Sequence, residues 1–298
     1  MLVITLLVVL LLTVIIFEID FQSRADLRAA QNFRDDLSAY YLALSGVTAG
    51  KGFLEEDLRT AGTVDHLGEI WASTIPPFSI GDGEVSGKIT DEAGKFNINT
   101  MLDAQGVPIL FKKTQLENLF RLVSVDPTLV DAIIDWRDQN TTTISSNGAE
   151  DETYQALEFP YSAKNGHLAT LEELLYIKGI TKEVYEKISP YLTVSTLDGK
   201  INVNTANAIV LQSIDPIAID ESTAKKLVEG APYDLVSKFT GSPLLGSANK
   251  NNIIGHHFTV GSNIYSIESR GAIQNTRKTI RVIWNRAGNG QVLSFKVE

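Results

Sequence analysis

The sequence predicts an α+β fold: a long N-terminal helix, an α/β domain on an antiparallel sheet, and an all-helical insertion in that domain. Three observations predict it. Residues 2–17 are almost uniformly apolar and run into a stretch with helical apolar spacing. The motif Gly94-Lys-Phe-Asn-Ile-Asn-Thr100 returns as Gly199-Lys-Ile-Asn-Val-Asn-Thr205. Between the two copies the chain turns acidic and helix-patterned, whereas its last forty residues or so alternate like strands. At 298 residues the chain is long enough for two domains and a real core.

The first element is the apolar run LVITLLVVLLLTVIIF, in which only Thr5 and Thr13 are weakly polar. Extended to Phe21 it spans about 30 Å as a helix, enough to cross a bilayer core. Leu2, Leu6, Leu10, Val14 and Phe17 are its membrane-spanning positions. A secretory signal peptide requires a basic lead-in and a small-residue cleavage site. The run passes instead into Glu18, Asp20, Gln22 and Arg24, so a retained membrane helix over 1–21 is expected. Residues 22–60 continue as an amphipathic helix. Leu27, Phe33, Leu37, Tyr41 and Leu44 recur at helical steps, opposite Arg24, Asp26, Arg28 and Arg34. Gly46, Gly50 and Gly52 weaken its far end.

Residues 61–102 are read as the first part of the α/β domain. Glu84–Thr90, a turn at 91–94 and the motif strand would form a hairpin. Each motif ends in an Asn-Thr pair suited to cap a following helix. Residues 103–198 are the inserted helical domain, with helices expected at 113–124, 127–138, 170–177 and 182–189. They hold 15 acids and 8 bases, a net of −7, which leaves −3 for all other residues. Residues 199–298 complete the α/β domain and end in a β-meander over 258–269, 272–285 and 291–297.

The overall charge of −10 and pI near 5.0 argue against a surface that neutralises many phosphates. No cysteine means no disulfide, thiolate zinc site, iron–sulfur cluster or Cys nucleophile. There is no G-x-S-x-G, H-E-x-x-H or P-loop, so an enzyme is not expected. Of the four His, His256 and His257 are adjacent at the start of a strand and point to opposite faces. Asp131, Asp135 and Asp138 share one helix face, and Asn140, Glu150, Asp151 and Glu152 follow in an oxygen-rich loop. Such a set suits Ca²⁺, although the spacing is not that of an EF-hand and a solvated acidic loop reads equally well. Trp136 is expected in the core of its helix, and Arg137 in a surface ion pair. Leu171–Thr181 resembles half of a helix–hairpin–helix DNA module, but Thr181 replaces its second Gly and four Glu flank Lys178 and Lys182.

The ordered set DEAGKFNINT, DAIIDWRDQN, NGAEDETY, PYSAKNGHLATLEELLYIKGI and GKINVNTA resembles the large minor pseudopilin of type II secretion, the component K family. The resemblance spans nearly the whole chain. It implies a pilin-like α/β domain, an inserted SAM-like helical domain, and calcium as a structural ion at Asp135, Asp138, Asn140, Glu150, Asp151 and Glu152. In a chain without cysteine, that ion would serve as a staple. It further implies a non-enzymatic subunit at the tip of a pseudopilus that supports protein export. The subunit would be single-pass in the bacterial inner membrane with its bulk in the periplasm. Its implied partners are the I and J type minor pseudopilins, met through Leu27, Phe33, Leu37, Tyr41 and Leu44, together with the inner-membrane assembly platform and secreted substrate, with no nucleic acid. The family's prepilins carry a basic leader ending in Gly, so the fate of Met1 stays open. No acid precedes Glu18, as in component K, whose missing early Glu suits the end of a filament. The alternatives are a minor pilin of a type IV pilus or, more remotely, a helix–hairpin–helix DNA-binding protein.

Overall fold

Leu2–Thr60 form one unbroken helix, α1, about 90 Å long at 1.5 Å per residue. No proline occurs before Pro76, so nothing in the sequence interrupts its hydrogen-bond ladder. The computed structural model describes residues 1–196, 198–246 and 258–298. Residues 1–34 are exposed throughout, and the segment is long and apolar enough to cross a membrane.

The chain then forms β1 (Ile75–Ile80), β2 (Gly83–Asp91), β3 (Phe96–Asn97), α2 (Leu110–Leu122), α3 (Leu129–Arg137), α4 (Asp151–Gln155) and α5 (Lys182–Ile188). It continues with β4 (Leu192–Thr193), β5 (Ile201–Asn202), α6 (Ala208–Ile214), α7 (Glu221–Glu229) and α8 (Val236–Thr240). It ends with β6 (Phe258–Thr259), β7 (Ile264–Ile273), β8 (Thr276–Asn285) and β9 (Gln291–Val297). Five strands make one antiparallel sheet in the order β1-β2-β7-β8-β9. Ile280, Val282 and Trp284 alternate on the covered face of β8, where they pack with Ile89, Tyr265 and Ile267 against Ala43, Val47 and Leu54 of α1. The meander is therefore present, although edge strand β9 leaves Val292, Leu293, Phe295 and Val297 more than two-fifths exposed.

The face that α1 turns to the sheet differs from the expected stripe. Ala39, Ala43, Val47, Gly50 and Leu54 are buried, whereas Leu27, Phe33, Leu37 and Tyr41 are exposed and Leu44 is half-buried. Small residues let the helix backbone come down onto the strand. A Cβ at Gly271 of β7 would collide with the Ala39 carbonyl and the Ala43 amide, and one at Gly46 with Ser269 and Val85. The glycines at 46 and 50 thus serve close packing. Gly271→Val should lift α1 off β7 and cost about 1–3 kcal/mol, the usual range for overpacking a rigid contact. An unchanged thermal transition would contradict this contact.

The two motif copies do the same mechanical work. The first enters β3, which pairs in parallel with β4, and the second enters β5, which pairs in parallel with β6. Asn99 Nδ2 donates to the Leu168 and Val194 carbonyls, each at 2.8 Å, while its Oδ1 accepts from Leu168 N. Asn204 repeats this arrangement, donating to the Tyr233 and Val260 carbonyls and accepting from Tyr233 N. Each motif is therefore a bracket that roots one helical cluster. The first cluster has its core at Leu116, Phe120, Ile133, Ile134, Tyr154 and Leu174. The second, on Val210, Leu211, Leu227 and Phe239, has a core of its own. Residues 199–298, read from sequence as the second part of the α/β domain, thus carry three helices between β5 and β6 among the described residues.

Two local expectations change. The hairpin is β1–β2 across Gly81 and Asp82, and Glu92–Gly94 make a short 3-10 turn capped by Asp91, whose side chain accepts from Ala93 N. The Asn-Thr pairs do not cap the next helices. Asn97 caps the 3-10 turn at Ile98–Thr100, and Asn207 caps α6. The hydrogen-bonding capacity of Asn99 and Asn204 is taken up by the distant carbonyls.

Behind the sheet, Asp65 is fully buried. Both its oxygens accept from Arg286 Nη2 at 2.6 and 2.7 Å, while Tyr265 Oη and Ser262 N donate at 2.7 Å each. The guanidinium lies 5.0 Å over the Tyr265 ring and reaches Asp57 of α1 at 3.5 Å. This cluster ties the end of α1 to the ends of β7 and β8.

Candidate metal centre

Helix α3 ends at Arg137 because Asp138 turns extended, with ψ 169°. Its apolar residues Val130, Ile133 and Ile134 are buried in the first core, which fixes the rotation of the helix and presents Asp131, Asp135 and Asp138 to the following loop. Asp131 is drawn aside, with Lys113 Nζ at 2.5 Å and Ser145 Oγ at 2.6 Å. Asp135 closes the loop on itself: Ile144 N donates to Oδ1 at 3.0 Å and Ala149 N to Oδ2 at 2.9 Å. Gly148 lies so close to Asp135 Oδ2 that no side chain fits there. Lys178, from the hairpin before α5, holds the Gly148 carbonyl at 3.0 Å.

This closure brings Glu150 back onto α3. Asp135, Asp138 and Glu150 are all buried, and each offers one carboxylate oxygen within 4.8 Å of the others. Burial, then repulsion from Asp138, Asp135 and Asp151, pushes the Glu150 carboxyl up to about 7. Burial also raises Asp135 and Asp138, offset in part by the backbone amides they accept from. Glu150 Oε1 is buried without a hydrogen-bond partner. Three converging carboxylates and one orphaned oxygen are the donor set of a hard divalent cation. The residues present therefore fit calcium, with Asp135, Asp138 and Glu150 as its carboxylates.

Of the six ligands expected from sequence, these three converge, and neither Asp151 nor Glu152 joins their acidic group. Asp151 accepts from Ala163 N at 2.7 Å, Asn140 is exposed and caps the turn at Thr142, and Glu152 is exposed. A second acidic trio, Asp57, Asp65 and Glu69, escaped the sequence reading. Arg286, 221 residues away from Asp65, pairs with Asp65 and reaches Asp57, and that pairing carries no local signal in the sequence.

Trp136 is in the core, edge-on to Tyr154 at 5.0 Å. Arg137 is not in a surface ion pair. It is 4% exposed and donates to the carbonyls of Ile98 at 2.6 Å and Asn99 at 3.1 Å, with His167 Nδ1 at 3.2 Å. Burial lowers its guanidinium to about 10, still charged at neutral pH. In the hairpin, Thr181 caps α5, Lys182 and Lys187 face Glu186 and Glu183, and Lys178 is held at Gly148. His256 and His257 lie outside the described residues.

Comparison with known proteins follows the same outline. Residues 94–196, the first bracket and its helical cluster, match the family described as type II secretion system (T2SS), protein K. The type II secretion system protein K of Pseudomonas aeruginosa is 27% identical over 304 residues, covering 96% of this chain and 88% of that one. Its counterpart in Aeromonas hydrophila is 27% identical over 254 residues, covering 78% and 75%. The fold matches a chain in the crystal structure of the GspK-GspI-GspJ complex of enterotoxigenic Escherichia coli. That match has a TM-score of 0.78 at 21% identity and covers 92% of this chain and 99% of that one.

Proposed function

We infer that the chain is a type II secretion system protein K: a non-enzymatic minor pseudopilin at the tip of the pseudopilus, supporting protein export. The observation that carries this is the division of labour along α1. Its first third is apolar and exposed all round, which suits a bilayer. Its second part holds the sheet with small residues and leaves Leu27, Phe33, Leu37 and Tyr41 outward, free to pack on other helices. The domain placed beyond the membrane would lie in the periplasm. The helical clusters add bulk that hinders a further subunit from stacking above, as a tip position requires.

The GspI and GspJ named with the solved relative make the I and J type components the first candidate partners. Leu37→Glu together with Tyr41→Glu should reduce co-purification with those components at least tenfold and leave the fold intact by circular dichroism. Undiminished capture would exclude the outer stripe as the contact. Capture by type IV minor pilins alone would move the protein to that system.

Calcium would be structural here. It would neutralise Asp135, Asp138 and Glu150 and hold the 138–150 loop to α3, as a crosslink would in a protein with cysteines. Calorimetry of the full chain in detergent should detect binding. No heat at millimolar Ca²⁺ would exclude the site.

A further inference from the structure

The buried guanidinium of Arg137 has no carboxylate beside it. Its two terminal nitrogens hold the backbone of the first motif, Nη1 the Ile98 carbonyl and Nη2 that of Asn99, with His167 Nδ1 also at Nη2, while Nε is buried without a partner. Charge-assisted bonds to buried carbonyls are among the stronger hydrogen bonds a protein makes. They lock the last turn of α3, the turn between Asp135 and Asp138, onto Ile98 and Asn99.

Those two residues sit at the root of the first helical cluster. The Asn99 side chain holds Leu168 and Val194, and Asn97 Nδ2 donates to the Thr196 carbonyl at 2.6 Å and to Thr196 Oγ1 at 2.7 Å. The chain enters the cluster at 97–100 and leaves it at 193–196. Entry, exit and the acid-bearing helix therefore meet in one knot, and Arg137 is its only side-chain tie to α3 among the described hydrogen bonds. The second bracket has no such tie. Asn204 makes the same contacts as Asn99, yet no buried arginine reaches its backbone among the described bonds.

We propose that Arg137 is a positioning residue that couples the divalent-cation centre to the root of the first helical cluster, so that filling the centre stiffens the root. This rests on the calcium reading above. The coupling follows from geometry. An ion drawing Asp135, Asp138 and Glu150 together fixes the end of α3, and the guanidinium two residues after Asp135 and one before Asp138 carries that constraint to the carbonyls at 98 and 99. Linkage makes the effect reciprocal: a root that is no longer held weakens the ion's binding.

The test is amide hydrogen exchange on the full chain in detergent, with calcium chloride or with chelator, alongside calorimetry. Calcium should slow exchange at Ile144 and Ala149, whose amides bond Asp135, and also at residues 98–101 and 194–196. Arg137→Lys keeps the charge but loses the fork that spans two carbonyls. In that variant the slowing should persist at 144 and 149 and vanish at 98–101 and 194–196, with calcium affinity about tenfold lower. Heat of binding in the wild-type chain without slowing at the root would overturn the coupling and leave the metal reading standing. Root slowing that survives in Arg137→Lys would overturn Arg137's role. No heat at all would remove both. Should Arg137→Lys fail to fold, the wild-type comparison still decides whether the root responds.

Discussion

An Arg286→Met variant should lose about 3–5 kcal/mol of stability at pH 8, the usual cost of leaving a buried charge without its partner. Asp65 would keep its bonds from Tyr265 Oη and Ser262 N but lose the cation that both its oxygens face. Burial already holds its carboxyl above the usual range, and without Arg286 it would rise further. A carboxyl whose folded-state pKa lies above its unfolded value stabilises the fold below the unfolded pKa and loses that contribution as pH rises through the folded one. The deficit of the variant should therefore shrink on acidification and be largest under alkaline conditions. Denaturant unfolding in a Trp136→Phe background reports on Trp71 and Trp284, both in the sheet core. A loss below about 1 kcal/mol at pH 8 would mean that the cluster does not hold α1 to the sheet.

Glu150→Gln should separate the loop's fold from its ligand. Removing one of three carboxylates should weaken calcium binding roughly 100-fold, because affinity in oxygen sites follows ligand charge. In chelator the same change should stabilise the protein. Glu150 has its carboxyl raised to about 7. The stability contributed by its proton is present near pH 4.5 and lost as pH rises through about 7. Glutamine mimics the protonated form, so the gain over wild type should grow between those values and be complete above them. Thermal melts with chelator at pH 5 and pH 8 would check this, and equal shifts at both would refute it. A variant more stable without calcium and binding it far more weakly is what a site selected for its ion would give.

Much of the architecture was legible because it is written in local periodicity. The apolar run, the helix steps in 22–60, the alternation of Ile280, Val282 and Trp284 and the twin motifs each carry their signal within a few residues. What escaped depends on partners far along the chain. The inner face of α1 includes Ala39, Ala43 and Gly50, which look featureless until Gly271 lies opposite the alanines and Ile267 opposite the glycine. The bulky stripe that periodicity selects is the outer one. Arg137 reads as one more charge among acids, yet its acceptors are carbonyls 38 and 39 residues upstream. In the acidic loop, sequence showed a crowd of oxygens, and folding assigned them. Asp131 went to Lys113, Asp151 to a backbone amide, and Asp135, Asp138 and Glu150 to one another.

The seam of small residues under α1 has a mechanical consequence. From Ala39 to Leu54 it runs about 23 Å along the helix axis, with the backbone at Ala39 and Ala43 against Gly271 and the glycines at 46 and 50 against strand side chains. A tension applied at the apolar end would reach the sheet as shear spread along that whole length, and the strands would bear it across many contacts at once. Such an arrangement fails only when the seam slips as a unit. The folded head would thus follow its stalk as one rigid body under an axial pull.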